Sequence, residues 1–109
     1  MCSSESSEQI KKRVNSARNI QRKRYEGINI YSNSELTPKL MNKYCKLNEK
    51  SKKILEDAFN KLGLSARAYG RILKVARTIA DLDAAENIEE MHLAEAIQYR
   101  SLDRKYGKH

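Results

Sequence analysis

Apolar residues recur every three or four positions along most of this chain, and Ser, Thr, Asn, Pro and Gly fill the gaps between the runs. That pattern predicts helices joined by short connectors. A first helix is expected to begin close to Ser7, because Ser6 and Gln9 have the spacing of a capping box. Its buried stripe would be Ile10, Val14, Ala17, Gln21 and Tyr25, with Gly27 as the stop. Ile28 to Leu36 lacks helix signals and reads as a connector that tucks Ile28, Ile30 or Leu36 against the core. Thr37 followed by Pro38 starts a short second helix, with Leu40, Met41 and Tyr44 facing inward. Asn48 caps a third, whose apolar positions are Ile54, Leu55, Ala58, Phe59 and Leu62 and whose end is Gly63.

Ser65 then caps a fourth helix. At about 100° per residue, Ala68, Ile72, Val75, Ala76, Ile79 and Leu82 gather on one face; Arg67, Arg71 and Lys74 border it, with Arg77 off to their side. After a loop from Asp83 to Asn87, Asn87 and Glu90 form a plausible cap for a fifth helix carrying Met91, Leu93, Ala94, Ala96 and Ile97. The expected fold is all-α, a small bundle of four to five helices in one domain over residues 8–100. The Ser-rich residues 1–7 are expected to be disordered, and residues 101–109 to form a polar, fraying tail on which Leu102 and Tyr106 could dock.

Composition strengthens this picture mainly by what it removes. One Pro, four Gly, no Trp and a charged share of 33% leave little material for a sheet, and 109 residues give a modest core rather than a large enzyme cleft. The net charge of +8 is uneven: residues 1–50 hold 11 basic and 5 acidic residues, or +6, and residues 51–109 hold 11 and 9, or +2. Seven Lys or Arg and no acid lie between Lys11 and Arg24. Lys11, Lys12, Arg13, Arg22, Lys23 and Arg24 are therefore candidate nucleic-acid contacts, although a solvated basic helix face accounts for them equally well.

Cys2, Cys45, His92 and His109 have no metal-ligand spacing, so no metal site is expected and a reduced, cytoplasmic protein is the simplest inference. No apolar run reaches the length of a membrane span or signal-peptide core, so no membrane partner is expected. Asp81, Asp83 and Glu86 lack the Gly and distant Glu of a calcium loop and read as a solvated loop. His92, without a second ligand, reads as a boundary or surface residue. There is no Gly-rich phosphate loop and no nucleophile elbow, so no catalytic residue is expected in this chain by itself.

Arg67 is the residue that most needs a reason. It falls in the first turn of the Ser65-capped helix, where unpaired N–H groups already carry partial positive charge and a cation is mildly unfavourable unless an anion lies opposite. An arginine fork there is suited to a phosphate, and Arg71 one turn on could share it or pair with a carboxylate. On spacing alone, surface ion pairs worth ~0–1 kcal/mol are the better account of both arginines.

A resemblance shifts the balance. Leu-Ser-Ala-Arg-Ala-Tyr from Leu64, Arg-Ile-Leu-Lys-Val-Ala-Arg-Thr-Ile-Ala-Asp-Leu from Arg71 and Glu-Ala-Ile-Gln-Tyr-Arg-Ser-Leu-Asp-Arg from Glu95 are similar to the C-terminal region of magnesium-chelatase-related AAA+ ATPases, in their bacterial YifB or ComM branch. Ser6-Ser7, Val14, Ala17-Arg18, Gln21, Arg24 and Cys45-Lys46-Leu47 agree with the same family, while Gly70 departs from it, standing where a non-Gly residue is expected. The resemblance implies an AAA+ lid following an ATP-binding core, with Arg67 as the second sensor reaching the γ-phosphate of a nucleotide at a subunit boundary. ATP and Mg2+ would then belong to the parent protein and not to this chain alone. The implied partners are the upstream AAA+ core, neighbouring subunits of a hexameric ring and DNA, the ComM branch resembling a branch-migration helicase of natural transformation. Two other readings stay open on the residues themselves: a free-standing basic helical module that binds nucleic acid, and a passive domain that only holds subunits together.

Overall fold

Three of the other four helices pack directly on α4 (Ala66–Leu82). A computed structural model describes the backbone of residues 6–106 and the side chains of residues 6–99. Within them the order is α1 (Ser7–Arg24), a 3₁₀ turn (Asn33–Glu35), α2 (Pro38–Tyr44), α3 (Glu49–Leu62), α4 and α5 (Glu90–Tyr106), with no strand among the described residues. The all-α bundle is therefore the fold. α4 packs against α5, α1, the 3₁₀ turn and α2, and α3 closes the bundle against α5.

Local chemistry sets the helix starts. Ser6 accepts from the Gln9 amide and its own amide donates to the Gln9 side chain, completing the capping box. Thr37, Asn48 and Ser65 each accept from the amide three residues on, at Leu40, Ser51 and Ala68. α3 ends on Gly63 at φ +61°, the left-handed geometry that glycine adopts without a Cβ penalty. Only Gly63, buried Leu64 and Ser65 separate α3 from α4, and the Leu64 amide donates back to the Phe59 carbonyl.

The core runs along α4 through Ala68, Ile72, Ala76 and Ala80, joined by Tyr25, Leu36, Leu55, Ile88, Leu93 and Ala96. Small residues on α4 let its neighbours approach closely, and Tyr25 meets Tyr44 edge-on at 5.2 Å between ring centroids.

Several expectations need correction. Ile10 is 48% exposed, because α1 is buried only from Ala17 onward, through Ala17, Gln21 and the flanking Tyr25; every residue of its first turns, before Val14, is exposed. On α5, Met91 and Ala94 face solvent, and the buried positions are His92, Leu93 and Ala96. α5 is not started by Asn87: the Glu89 carbonyl accepts from the Leu93 amide, and the Glu89 amide donates to His92 Nδ1, so a histidine ring takes the place expected for the Glu90 carboxylate in the cap. The helix continues to Tyr106, past the expected boundary at residue 100. Of residues 1–7, expected to be disordered, Ser6 caps α1 and Ser7 begins it; residues 1–5, the docking of the Leu102 and Tyr106 side chains, and any role of Cys2 or His109 lie outside what the structure describes.

Candidate functional site

The N-terminal end of α4 is held from both sides. Ser65 Oγ accepts from the Ala68 amide at 3.2 Å, and Tyr69 packs edge-to-face on Phe59 at 5.7 Å, tying the first turn to α3. Arg67 occupies the second helical position and is exposed, as is Arg71 one turn on. The first turn of α4 contains no acid, and neither guanidinium has an ion pair or hydrogen bond among the described residues. A fixed helix end thus presents unpaired N–H groups and a cation to solvent, an arrangement complementary to a phosphate. Lys74 continues the stripe, half-buried, and donates to the Ser34 carbonyl at 3.2 Å.

At the other end of α4 the structure assembles a polar centre that the sequence pattern scattered among three categories. Asp81 is fully buried. Its Oδ1 accepts from Arg24 Nη2 at 2.6 Å and Arg77 Nε at 3.2 Å, and its Oδ2 accepts from Arg24 Nη1 at 2.9 Å and Asn33 Nδ2 at 3.0 Å. Arg77 spends its remaining donors on the carbonyls of Tyr44, Ala85 and Glu86. Asn33 also donates to Thr78 Oγ1, accepts from the Tyr25 hydroxyl, and takes the Gln21 side chain on its amide. α1, the 3₁₀ turn, the end of α2, α4 and the loop after α4 therefore meet on one carboxylate. Burial opposes the charge on Arg24, but the hydrogen bonds and charge of Asp81 outweigh it, and the guanidinium pKa lies above the ordinary arginine value.

This changes the standing of several residues. Arg24, expected among the nucleic-acid contacts, has a side chain only 14% exposed and bound bidentately to Asp81, so its fork is not free for a phosphate. Asp81 belongs to a helix and not to a solvated loop, and Arg77 points inward. The i,i+4 spacing of Arg77 and Asp81 was the one local signal for this centre. The Arg24–Asp81 pair, 57 residues apart, left none. His92 is buried, not superficial: Nδ1 accepts from the Glu89 amide, which leaves Nε2 to donate to Asp83 Oδ2 at 3.0 Å. Burial pushes the Cys45 thiol up to about 11. No group of His, Cys, Asp and Glu among the described residues could hold a metal ion, and no helix there is long and apolar enough to cross a membrane.

The remaining candidates on α1, Lys11, Lys12, Arg13, Arg22 and Lys23, are all exposed. Lys11, Lys12, Arg22 and Lys23 have no ion pair among the described residues, whereas Arg13 is engaged. Arg18, which the sequence reading did not single out, shares this exposed surface.

With this geometry in view, comparison with known proteins is informative. The family model described as "Magnesium chelatase, subunit ChlI C-terminal" matches residues 4–100. Competence protein ComM of Haemophilus influenzae is 51% identical over 104 residues, which cover 95% of this chain and 20% of that protein. Protein YifB of Salmonella typhimurium and protein YifB of Escherichia coli are each 45% identical over 100 residues, covering 92% of this chain and 19% of theirs. The chain spans about a fifth of the length of these relatives.

Proposed function

We infer the function from descent: this chain belongs to the magnesium chelatase ChlI C-terminal family, and we propose that it acts as the helical lid of a larger AAA+ ATPase, with Arg67 as the residue that senses nucleotide. The observation that carries this reading is Arg67, without an ion pair or hydrogen bond from its guanidinium among the described residues, at a capped helix end. Arg67 and the first-turn amides of α4 would meet the γ-phosphate of ATP, whose Mg2+ and hydrolytic groups belong to the rest of the parent. Arg71 sits one turn behind and adds positive potential at the same end.

A contact of this kind exists only while the phosphate is present. Its gain or loss biases a two-state placement of the lid, and α4 passes that bias on because the Asp81 centre ties α1 and the 3₁₀ turn to it while α5 packs along it. The lid does not hydrolyse ATP by itself. In the parent, neighbouring subunits of a hexameric ring would read each other's nucleotide through this end, and the kinship with a competence protein favours a DNA-remodelling motor. Arg67→Ala in the full-length parent is expected to leave assembly and the helical circular-dichroism spectrum intact while lowering ATP turnover more than tenfold. Unchanged turnover would remove the sensor reading.

A second activity has its own observation. Five cations on α1, Lys11, Lys12, Arg18, Arg22 and Lys23, are exposed and have no ion pair among the described residues, so this surface can neutralise phosphates independently of nucleotide. DNA binding by this chain that weakens steeply between low and physiological salt supports it, and absence of binding at low salt rejects it.

A further inference from the structure

Two grooves lie side by side on the molecule and share part of their lining. The first, about 910 Å³, lies between the second half of α1 and the connector before α2, with Arg18, Arg22 and Lys23 along its α1 side. The second, about 670 Å³, lies between α4 and α5, with Arg71 and Lys74 at its edge over a floor that includes Val75 and Ala96. Ser34 and Thr78 line both. The two adjacent grooves make a track with five cations along it and, among the described residues, a single acid, Glu26.

Each half also contains a tyrosine that the fold does not use. Tyr31 is 79% exposed and Tyr99 63%, and neither ring stacks on another aromatic ring among the described residues. The other described tyrosines, Tyr25, Tyr44 and Tyr69, all pack on aromatic partners. Exposed apolar residues are ordinary one at a time. Here the two most exposed rings fall one in each half of the same basic track, which neither packing nor solubility requires.

We propose that this track binds single-stranded nucleic acid, with Arg18, Arg22, Arg71 and Lys74 meeting backbone phosphates and the Tyr31 and Tyr99 rings stacking on bases. Flat π faces beside a positively charged groove accept any base, so the binding is expected to be tolerant of sequence. A duplex offers its phosphates but keeps its bases stacked on one another, and it would gain nothing from the tyrosines. This goes beyond the sensor reading and takes only its biological sense from the DNA-motor part of it. Binding is read on this chain without nucleotide, whereas the sensor is read as ATP turnover, so each can fail without the other.

Fluorescence anisotropy of a labelled 20-nucleotide oligo(dT) with the 109-residue chain tests it, with the corresponding oligo(U) as the RNA arm. Wild type is expected to bind oligo(dT) at micromolar or lower concentration in low salt and to prefer it over a duplex of equal length. Tyr31→Ala and Tyr99→Ala, both at exposed positions that leave the circular-dichroism spectrum unchanged, should each weaken binding about 5- to 100-fold without altering its salt slope; Phe at either position should retain it. Arg18→Gln with Arg22→Gln should flatten the salt slope instead. The proposal is overturned by no binding at low salt, by tyrosine variants that bind as wild type, by preference for duplex, or by equal competition from poly-glutamate of matched charge, which would mark the track as a seat for an acidic protein segment.

Discussion

Asp81 shows how much a single buried charge can organise. A carboxylate withdrawn from water is tolerable only when its charge is matched and its lone pairs are filled, and here two arginines and an asparagine do both. Asp81→Ala removes the acceptor and leaves Arg77 buried and Arg24 largely so, each without its partner. The expected cost is about 3–5 kcal/mol in urea unfolding, and Asp81→Asn should cost less because it keeps part of the hydrogen bonding. Cys45 makes a prediction of opposite chemistry. Its thiol is held neutral by burial up to about 11, against 9.0 for the free group. An acid whose folded pKa is raised releases its proton first in the unfolded chain, so stability falls as pH climbs through that window. Cys45→Ala should lack this part of the alkaline loss, seen as a shallower decline of the wild-type-minus-variant difference below pH 9 than above it. Native Cys45 should also react far more slowly with a thiol reagent at pH 8 than the urea-unfolded chain.

α4 is where local preference and tertiary demand meet most closely. Its Ser65 cap, its small core residues and its amphipathic period all favour the helix that forms. Gly70 is the exception, and nothing in the packing calls for it: a Cβ built there would touch only Met41 Cε, at an ordinary 3.5 Å. Gly70→Ala is therefore expected to stabilise the domain by roughly 0.5–1 kcal/mol, measured as a higher denaturation midpoint with unchanged slope. A loss of stability would mean that close approach of α2 needs the bare backbone. The start of α5 shows the reverse case, in which a side chain foreign to helix capping is recruited because His92 is already buried beside the Glu89 amide.

The whole domain behaves as a bundle hung on α4 with one projecting arm. α1 is anchored by Ala17, Gln21, Arg24 and Tyr25, and the turns before Val14 bury nothing completely. Hydrogen exchange is expected to be slowest in α4 from Ile72 to Asp81 and in the facing turns of α5 near Leu93, and fastest in α1 before Val14. Comparable protection along all of α1 would show that the arm is more stable than its packing implies.

Helix existence, order and most boundaries were readable from the chain itself, since spacing at 3.6 residues, caps at Ser6, Thr37, Asn48 and Ser65, and the stop at Gly63 act over four residues or fewer. The family likeness was readable for the same reason: contiguous residues carry it. The exposed Arg67 at a helix start also followed from local geometry. What the local pattern could not reach was pairing at a distance. Whether Arg24 meets solvent or Asp81, whether Asp81 and His92 are surface groups or buried ones, and whether Tyr31 and Tyr99 share one track depends on which helix faces come together. Periodicity marks a face as apolar or basic, and only the packed bundle decides which charges lose their water and must find one another.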